Sequence, residues 1–337
     1  MKKILFVSKK RIDHYGVAFG LVNSSKFCSE FLSQNLNIES NAVLVIDANG
    51  IDKEIHKYKP NIVVLEAIWV TPHKIKELLK LHKKITWIIR IHSKSSFLAT
   101  EGIAFSWLNS YKEISQEYRN FHIAVNNEQF HVDLSSIMHT NILYLPNLYP
   151  LKKQDQSVIF TEFDFNTINI GCFGALRPLK NQVQQAIAAI IFANNNNLKL
   201  KFHINSNRIE QKGEEVLKNL RAIFKGSYNH RLIEHNWTDH VDFYKIVKSM
   251  DIGMQVSMTE SFNIVTADFV ANKIPIVVSK DIDWVPFIWR CDPTDTNEIV
   301  NKLELAWAFG GTTLNLIALH WYNIKSLKVW EKFISNF

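Results

Sequence analysis

The stretch Thr259-Glu260-Ser261-Phe262-Asn263-Ile264-Val265-Thr266-Ala267-Asp268-Phe269 runs on into Asn272-Lys273-Ile274-Pro275-Ile276-Val277-Val278-Ser279. It reads as a loop carrying an acid, then a short helix, a turn, and a strand buried on both faces. Thr259 or Ser261 is the expected helix cap, and Pro275 opens the strand after a turn at Asn272-Lys273. Glu260 and Asp268 stand eight residues apart, about two helical turns, so a helix through both would set them on one side. An acid beside a helix N-terminus can meet the hydroxyls of a ligand whose phosphate sits on the helix dipole. In isolation, such a pair is more often a cap acid and a solvated helix acid. The surrounding chain has to decide.

Outward from this stretch, apolar runs alternate with helix-like segments along the whole chain. In the first half, residues 4–8, 42–46, 62–65, 85–91, 123–125 and 142–145 are short, β-branched and nearly continuous, as strands of a two-sided parallel sheet are. Helices are expected at 21–34, 72–81, 103–118 and 128–138. The segment 145–156 breaks the rhythm with Pro146, Pro150 and a polar run. Alternation then restarts, with strands at 168–173, 200–204, 232–234, 252–256 and 276–279 and helices at 181–194, 214–224 and 240–249. Alternating β and α at this spacing implies an α/β chain of two Rossmann-like domains. Their expected limits are 1–150, a linker at 151–166, and 167–311. Residues 312–337, after Gly310-Gly311, form a long amphipathic helix expected to cross back to the first domain.

Composition agrees with this reading. A chain of 337 residues, 47% hydrophobic and 21% charged, has the length for two cores. Cys28, Cys172 and Cys291 lie far apart, with no CxxC or Cys/His cluster, so no disulfide framework or structural zinc site is expected. No apolar run approaches a membrane span of about 18 residues, and the N-terminal apolar run is too short for a signal peptide. A cytoplasmic protein is expected. The net charge of +7 is uneven: residues 1–150 carry 18 Lys and Arg against 13 Asp and Glu. A basic first half favours an acidic partner, though a solvated lysine surface accounts for it equally well.

Ligands of open α/β sheets bind at the carboxyl ends of the strands, so the segments just after the strands carry the chemistry. After the first strand come Gly16 and Gly20, whose spacing is neither GxGxxG nor a P-loop. A nicotinamide cofactor is thus not expected. His92 follows the fourth strand, with Glu66 and Asn126-Asn127-Glu128 similarly placed. In the second half, Gly174-Ala175-Leu176-Arg177-Pro178-Leu179-Lys180-Asn181 leads into a helix. Its two cations at a helix N-terminus suit a diphosphate.

The loop 174–181 and the segment 260–279 together resemble the two donor-binding signatures of retaining GT-B glycosyltransferases. The second signature of that family is Glu-x7-Glu; here it is Glu260-x7-Asp268, one methylene shorter. The chain is also similar to glycosyltransferase-like proteins of tailed bacteriophages, around residues 65–72 and 90–94. The resemblance implies a donor that is a nucleotide-diphosphate sugar, a UDP-sugar in the first instance. By the same resemblance Glu260 lies beside the donor sugar, Asp268 meets the ribose, and Arg177 and Lys180 grip the diphosphate. His92 faces the sugar from the first domain. Gly174, Ser261, Phe262, Asn263, Ile264, Gly16 and Gly20 line the donor site. No metal is expected at the donor site.

The implied reaction is hexosyl or pentosyl transfer to an acceptor hydroxyl with retained configuration. Lys74, Lys76, Lys80, Lys83 and Lys84 cluster about one helix. With the phage-like segments, they point to DNA bearing a hydroxymethylated or glycosylated pyrimidine as acceptor. A glycan or lipid-linked acceptor is the alternative. An epimerase or a non-catalytic nucleotide-sugar binding protein of the same fold stands beside both.

Overall fold

A computed structural model describes residues 1–10, 19–151 and 166–336. The chain divides into two compact units, residues 1–150 with 323–337, and residues 151–322. Each unit is built on one six-stranded, wholly parallel sheet.

The first unit runs β1 (Lys2–Lys9), α1 (Phe19–Asn35), β2 (Ile38–Val45), α2 (Gly50–Tyr58), β3 (Ile62–Glu66), α3 (Pro72–Leu81) and β4 (Thr86–Ile91). It continues with α4 (Ser95–Leu98), α5 (Ala104–Glu117), β5 (Phe121–Val125), α6 (Glu128–Met138) and β6 (Ile142–Tyr144). The sheet order is β2-β1-β3-β4-β5-β6. Successive strand residues feed opposite faces, because side chains alternate across a strand. Leu5, Val7, Val63, Leu65, Trp87 and Ile89 pack one core with residues of α2, α3, α5 and α6. Ile4, Phe6, Ile62, Val64 and Ile88 pack the other with Cys28 and Leu32 of α1 and with Trp330 and Phe333.

The second unit runs β7 (Thr167–Gly171), a 3-10 turn (Pro178–Lys180), α7 (Gln182–Asn195), β8 (Lys199–Asn205), α8 (Gly213–Phe224), β9 (His230–His235), α9 (His240–Lys248) and β10 (Ile252–Gln255). Then come α10 (Ile264–Ala271), β11 (Ile276–Ser279), a 3-10 turn (Phe287–Trp289), β12 (Arg290–Cys291) and α11 (Thr296–Phe309). The sheet order, β12-β11-β10-β7-β8-β9, is the Rossmann order 3-2-1-4-5-6 counted within the unit. The chain fills one side of β7 with β8 and β9, then returns to its other side with β10. β7 and β10 therefore flank the topological switch point, where the loops leaving the strands diverge and leave room for a ligand.

Two glycines seat α10 on this spot. Gly171 of β7 and Gly253 of β10 are register partners, and the ring of Phe269 from α10 lies against both. A Cβ added at Gly253 would come within 2.6 Å of that ring, and one at Gly171 within 2.9 Å. Phe173 stacks on Phe269, centroids 6.0 Å apart. Small residues below and aromatics above thus fix the helix that carries Asp268.

The last helix, α12 (Thr312–Asn336), belongs to the second unit as far as Tyr322 and to the first from Asn323 onward. In the first unit Trp330 is fully buried against Phe6, donates its indole N–H to the Pro146 carbonyl at 2.9 Å, and lies under the Arg90 guanidinium. Asn323 clasps the backbone of Tyr149 through both its amide and its carbonyl. Among the described residues, no helix is long and apolar enough to cross a membrane.

Candidate functional site

The loop after β7 is shaped by three backbone features. Gly174 has φ +122°, a conformation that side chains oppose, and its N–H donates to Asn205 Oδ1 at 3.0 Å. Arg177 is extended, and Asn181 turns left-handed at φ 59° to start α7. The loop is then fastened to the neighbouring strand end. Asn181 Nδ2 donates to the Val256 carbonyl at 3.2 Å, Gln185 Oε1 accepts from the Val256 N–H at 2.8 Å, and the Met258 N–H donates to the Leu179 carbonyl at 2.9 Å.

Lys180 and Glu260 meet across this seam. Lys180 Nζ donates to Glu260 Oε1 in an ion pair whose side chains are 13% and 10% exposed. Burial pushes the Glu260 carboxyl up, but the Lys180 ammonium, aided by Arg177, outweighs it and holds the group below the usual carboxylate range. The Glu260 N–H donates to Asp281 Oδ2 at 3.1 Å. Arg177 is turned to a different acid, Glu210, at 3.0 Å, and Glu210 also receives Arg208, whose guanidinium lies over Trp237. Leu176 bridges Ile209, which sets Glu210 beside the loop.

The helix α10 departs from the sequence expectation. Neither Thr259 nor Ser261 caps it. Asn263 does, at φ 59°, its Oδ1 accepting from the Thr266 N–H at 2.9 Å and its Nδ2 donating to Gln255 Oε1 at 2.8 Å. Gln255 in turn donates to the Phe173 carbonyl at 2.8 Å. Because the helix begins only at Ile264, Glu260 lies in the loop before it, and the two acids do not share a helical face. Asp268 is 1% exposed and its Oδ1 is 2.7 Å from His240 Nε2, at the start of α9. The Phe262 side chain is buried, stacked on Trp284 and tilted against Tyr322, and its carbonyl accepts the Trp284 indole N–H at 2.7 Å. Ser261 and Ile264 are half-buried at the mouth of the helix.

In the first unit His92 stands just past β4, where Glu66 and Asn126 join it. Glu66, at the end of β3 and fully buried, takes Arg90 Nη1 at 2.8 Å and His92 Nε2 on its two oxygens. Asn126 Nδ2 lies 3.2 Å from His92 Nδ1. Burial, opposed by Glu66 and aided by Arg90, keeps the His92 imidazole below its ordinary value, hence neutral at pH 7. A neutral ring that donates from Nε2 and accepts at Nδ1 satisfies both neighbours. Burial also acts to raise the Glu66 carboxyl, but Arg90 and His92 override it and keep it ionised. Gly20 is the second residue of α1, with open space where a side chain would be. Gly16 lies outside the described residues.

The lysine cluster looks different in three dimensions. Lys74 and Lys76 are held by Glu77 and Glu117 at 2.7 Å each. Lys80, in the last turn of α3, and Lys83 and Lys84, just past it, are exposed, but they lie at the amino edge of the sheet. Glu66 and His92 are at the carboxyl edge. The three cysteines are buried, and burial raises the Cys172 and Cys291 thiols to about 12, which rules them out as nucleophiles.

No protein-family model matches the chain, and no curated protein matches it. Solved structures do. A sucrose-phosphate synthase from Thermosynechococcus elongatus superposes with a TM-score of 0.71 at 10% identity, covering 100% of both chains. The trehalose-6-phosphate phosphatase N-terminal domain of Candida albicans gives 0.69 at 11% identity, over 100% of this chain and 96% of its own. An E. coli structure, trehalose-6-phosphate bound with UDP-2-fluoro glucose, gives 0.67 at 10%, over 99% and 98%.

The fold is GT-B. With two wholly parallel six-stranded sheets spanned end to end by these matches, the GT-B assignment rests on topology. Identity of 10–12% adds nothing about individual residues. What sequence reasoning missed in this GT-B chain are the partners Glu210, Arg208, His240 and Asp281. Asp281 lies just past β11 and Arg208 just past β8, where the strand-end rule reaches; Glu210 and His240 stand farther along the loop and at a helix start.

Proposed function

We propose that this protein transfers a sugar from a nucleotide-diphosphate donor, a UDP-sugar in the first instance, to an acceptor hydroxyl with retention. One observation carries the proposal: Lys180 and Glu260 meet at the switch point of the Rossmann-ordered sheet. A cation, a carboxylate and two helix starts converge there. The similar structures include a UDP-forming trehalose-phosphate synthase and one bound with UDP-2-fluoro glucose, which supports the choice of donor.

In this reading the donor diphosphate lies along the loop 174–181, against the bare backbone at Gly174 and the charges of Lys180 and Arg177. Glu260 stands at the sugar end and Asp268, through His240, at the ribose end. Ser261, Phe262, Asn263 and Ile264 offer backbone groups between them. As the glycosidic bond breaks, negative charge grows on the departing phosphate, and Lys180 and Arg177 stabilise it. The acceptor proton goes to that phosphate. His92, beside Glu66 and Asn126, stands as a separate candidate within the first unit.

For the acceptor, we place a saccharide ahead of DNA. The exposed lysines that favoured DNA sit at the sheet edge opposite His92, and two of the five are already paired. The test incubates the protein with a panel of nucleotide sugars, alone and with oligosaccharide, lipid-linked or hydroxymethylated-DNA acceptors. Nucleoside diphosphate release that requires a saccharide is the expected result. A mass gain on DNA would reverse the acceptor assignment. Epimerised donor without any acceptor, or nucleotide binding without turnover, would overturn the transferase reading.

A further inference from the structure

At the edge of the first unit, α2 and α3 bring Asp52, His56 and His82 together, with one ligand atom of each within 4.8 Å of the others. Asp52 and His56 stand four apart on α2, so they share a face. His82 ends α3, its N–H fixed on the Leu78 carbonyl and its ring set beside the buried Trp87. Asp52 Oδ1 is 2.7 Å from His82 Nε2 and 3.4 Å from His56 Nδ1. A zinc ion with bonds of about 2.0–2.1 Å has ligands roughly 3.3 Å apart along a tetrahedral edge. The two separations bracket that value.

We infer that Asp52, His56 and His82 form a divalent transition-metal site of the zinc class, with water completing the shell. Two imidazole nitrogens and one carboxylate oxygen suit zinc rather than magnesium or calcium, which prefer all-oxygen shells. A hydrogen bond between Asp52 and His82 would suffice to tie the helices, and His56 Nδ1 would exchange its bond to the Asp52 carbonyl for the metal. His56 is 70% exposed, yet it lies over the same carboxylate, with its Nδ1 2.9 Å from the Asp52 carbonyl. Lys53 and Lys57 on α2, Lys80 on α3, and Lys83 and Lys84 just past α3 oppose the added charge and moderate the affinity. His82 lies at the amino edge of the sheet, away from Glu66 and His92. A bound ion there clamps α2 to α3 and takes no part in the proposed transfer.

The test uses the full chain stripped with a chelator and titrated with zinc chloride by calorimetry, with thermal melts alongside. Expected are one bound zinc per chain, a raised melting temperature, and no competition from magnesium. His56→Ala, which keeps the Asp52–His82 hydrogen bond, weakens binding roughly tenfold or more and cancels the thermal gain. Cobalt in place of zinc gives a visible absorption that the same variant loses. Absence of zinc binding, or wild-type stoichiometry and affinity in His56→Ala, overturns the site. His82→Gln should behave like His56→Ala, and if it does not fold, His56→Ala decides alone.

Discussion

Lys180 Nζ and Glu260 Oε1 form an ion pair between the loops that leave two adjacent parallel strands, β7 and β10. Both side chains are nearly withdrawn from water, so each is the other's main source of charge compensation. An arriving diphosphate would compete with Glu260 for Lys180. Donor binding and the carboxylate's position are thereby coupled.

The two halves of this pair should fail differently. Lys180→Ala leaves an ionised Glu260 without its close partner, and breaking a buried pair in this way costs about 3–5 kcal/mol. Glu260→Gln keeps the shape and a hydrogen-bond acceptor, and should cost no more than about 1–2 kcal/mol. Denaturant midpoints measure both. In the transfer assay Glu260→Gln should slow nucleoside diphosphate release roughly a hundredfold. Unchanged turnover would remove Glu260 from the site.

A second prediction concerns Gly253. Its substitution by Ala drives a methyl into the Phe269 ring and lifts α10 from the switch point, an overpacking that costs about 1–3 kcal/mol. Gly253→Ala with Phe269→Leu should recover part of the loss, because the two share one contact. Nucleotide affinity, read by fluorescence or calorimetry, should fall in the single variant and rise again in the double. Strictly additive losses would show that the ring and the glycine do not meet.

Much of this was legible in the sequence, and the reason is physical. Strands buried on both faces are nearly continuous in apolar residues, so 62–65 and 276–279 stand out, and parallel connection then follows from the helices between them. The proximity of Lys180 and Glu260 follows as well, once both lie after neighbouring strands. The helix Gly50–Tyr58 escaped notice because only Ile51 and Ile55 anchor it. The two-residue strand Arg290–Cys291 and the helix after it follow a loop that masks the rhythm. The cap at Asn263 was hidden for another reason: Asn caps as well as Ser and better than Thr, so residue type alone does not choose among them, and its positive φ leaves no mark in composition. Partners such as Glu210 and His240 depend on loop paths that periodicity does not encode.

The buried histidine pair in the second unit gives a third prediction. His203 Nδ1 is 2.8 Å from His235 Nε2, and the rings stack. Burial, with His235 and Lys201 adding to it, lowers the His203 pKa from 6.5 to about 3. A depressed pKa means the unfolded chain takes the proton first. Stability is therefore whole above pH 6.5 and declines as pH falls toward 3. The loss should reach about 2 kcal/mol between pH 6.5 and 5. His203→Gln should lower the slope over that interval in denaturant unfolding, with His92 and His235, also depressed by burial, carrying the rest. A wild-type slope in the variant would assign the acid sensitivity elsewhere.

The last prediction separates Asp268 from its partner. Asp268 is almost sealed from solvent, whereas the His240 side chain is about a quarter exposed, and the two are 2.7 Å apart. Contact with a ribose hydroxyl would then fall to the imidazole, with Asp268 fixing which nitrogen faces inward and which outward. Asp268→Asn retains an oxygen that can accept from His240 but removes the charge, so the ring stays in place on a weaker bond. Affinity for a nucleoside diphosphate should drop about tenfold, near 1.4 kcal/mol, the difference between a charged and a neutral hydrogen bond. His240→Ala should lose as much or more. The double variant should lose little beyond His240→Ala, because Asp268 acts through the ring that is gone. A deoxyribose analogue should bind wild type and His240→Ala alike if the imidazole is the group that reads the hydroxyl. Full additivity of the two substitutions, or wild-type affinity in His240→Ala, would move the ribose contact to a different residue.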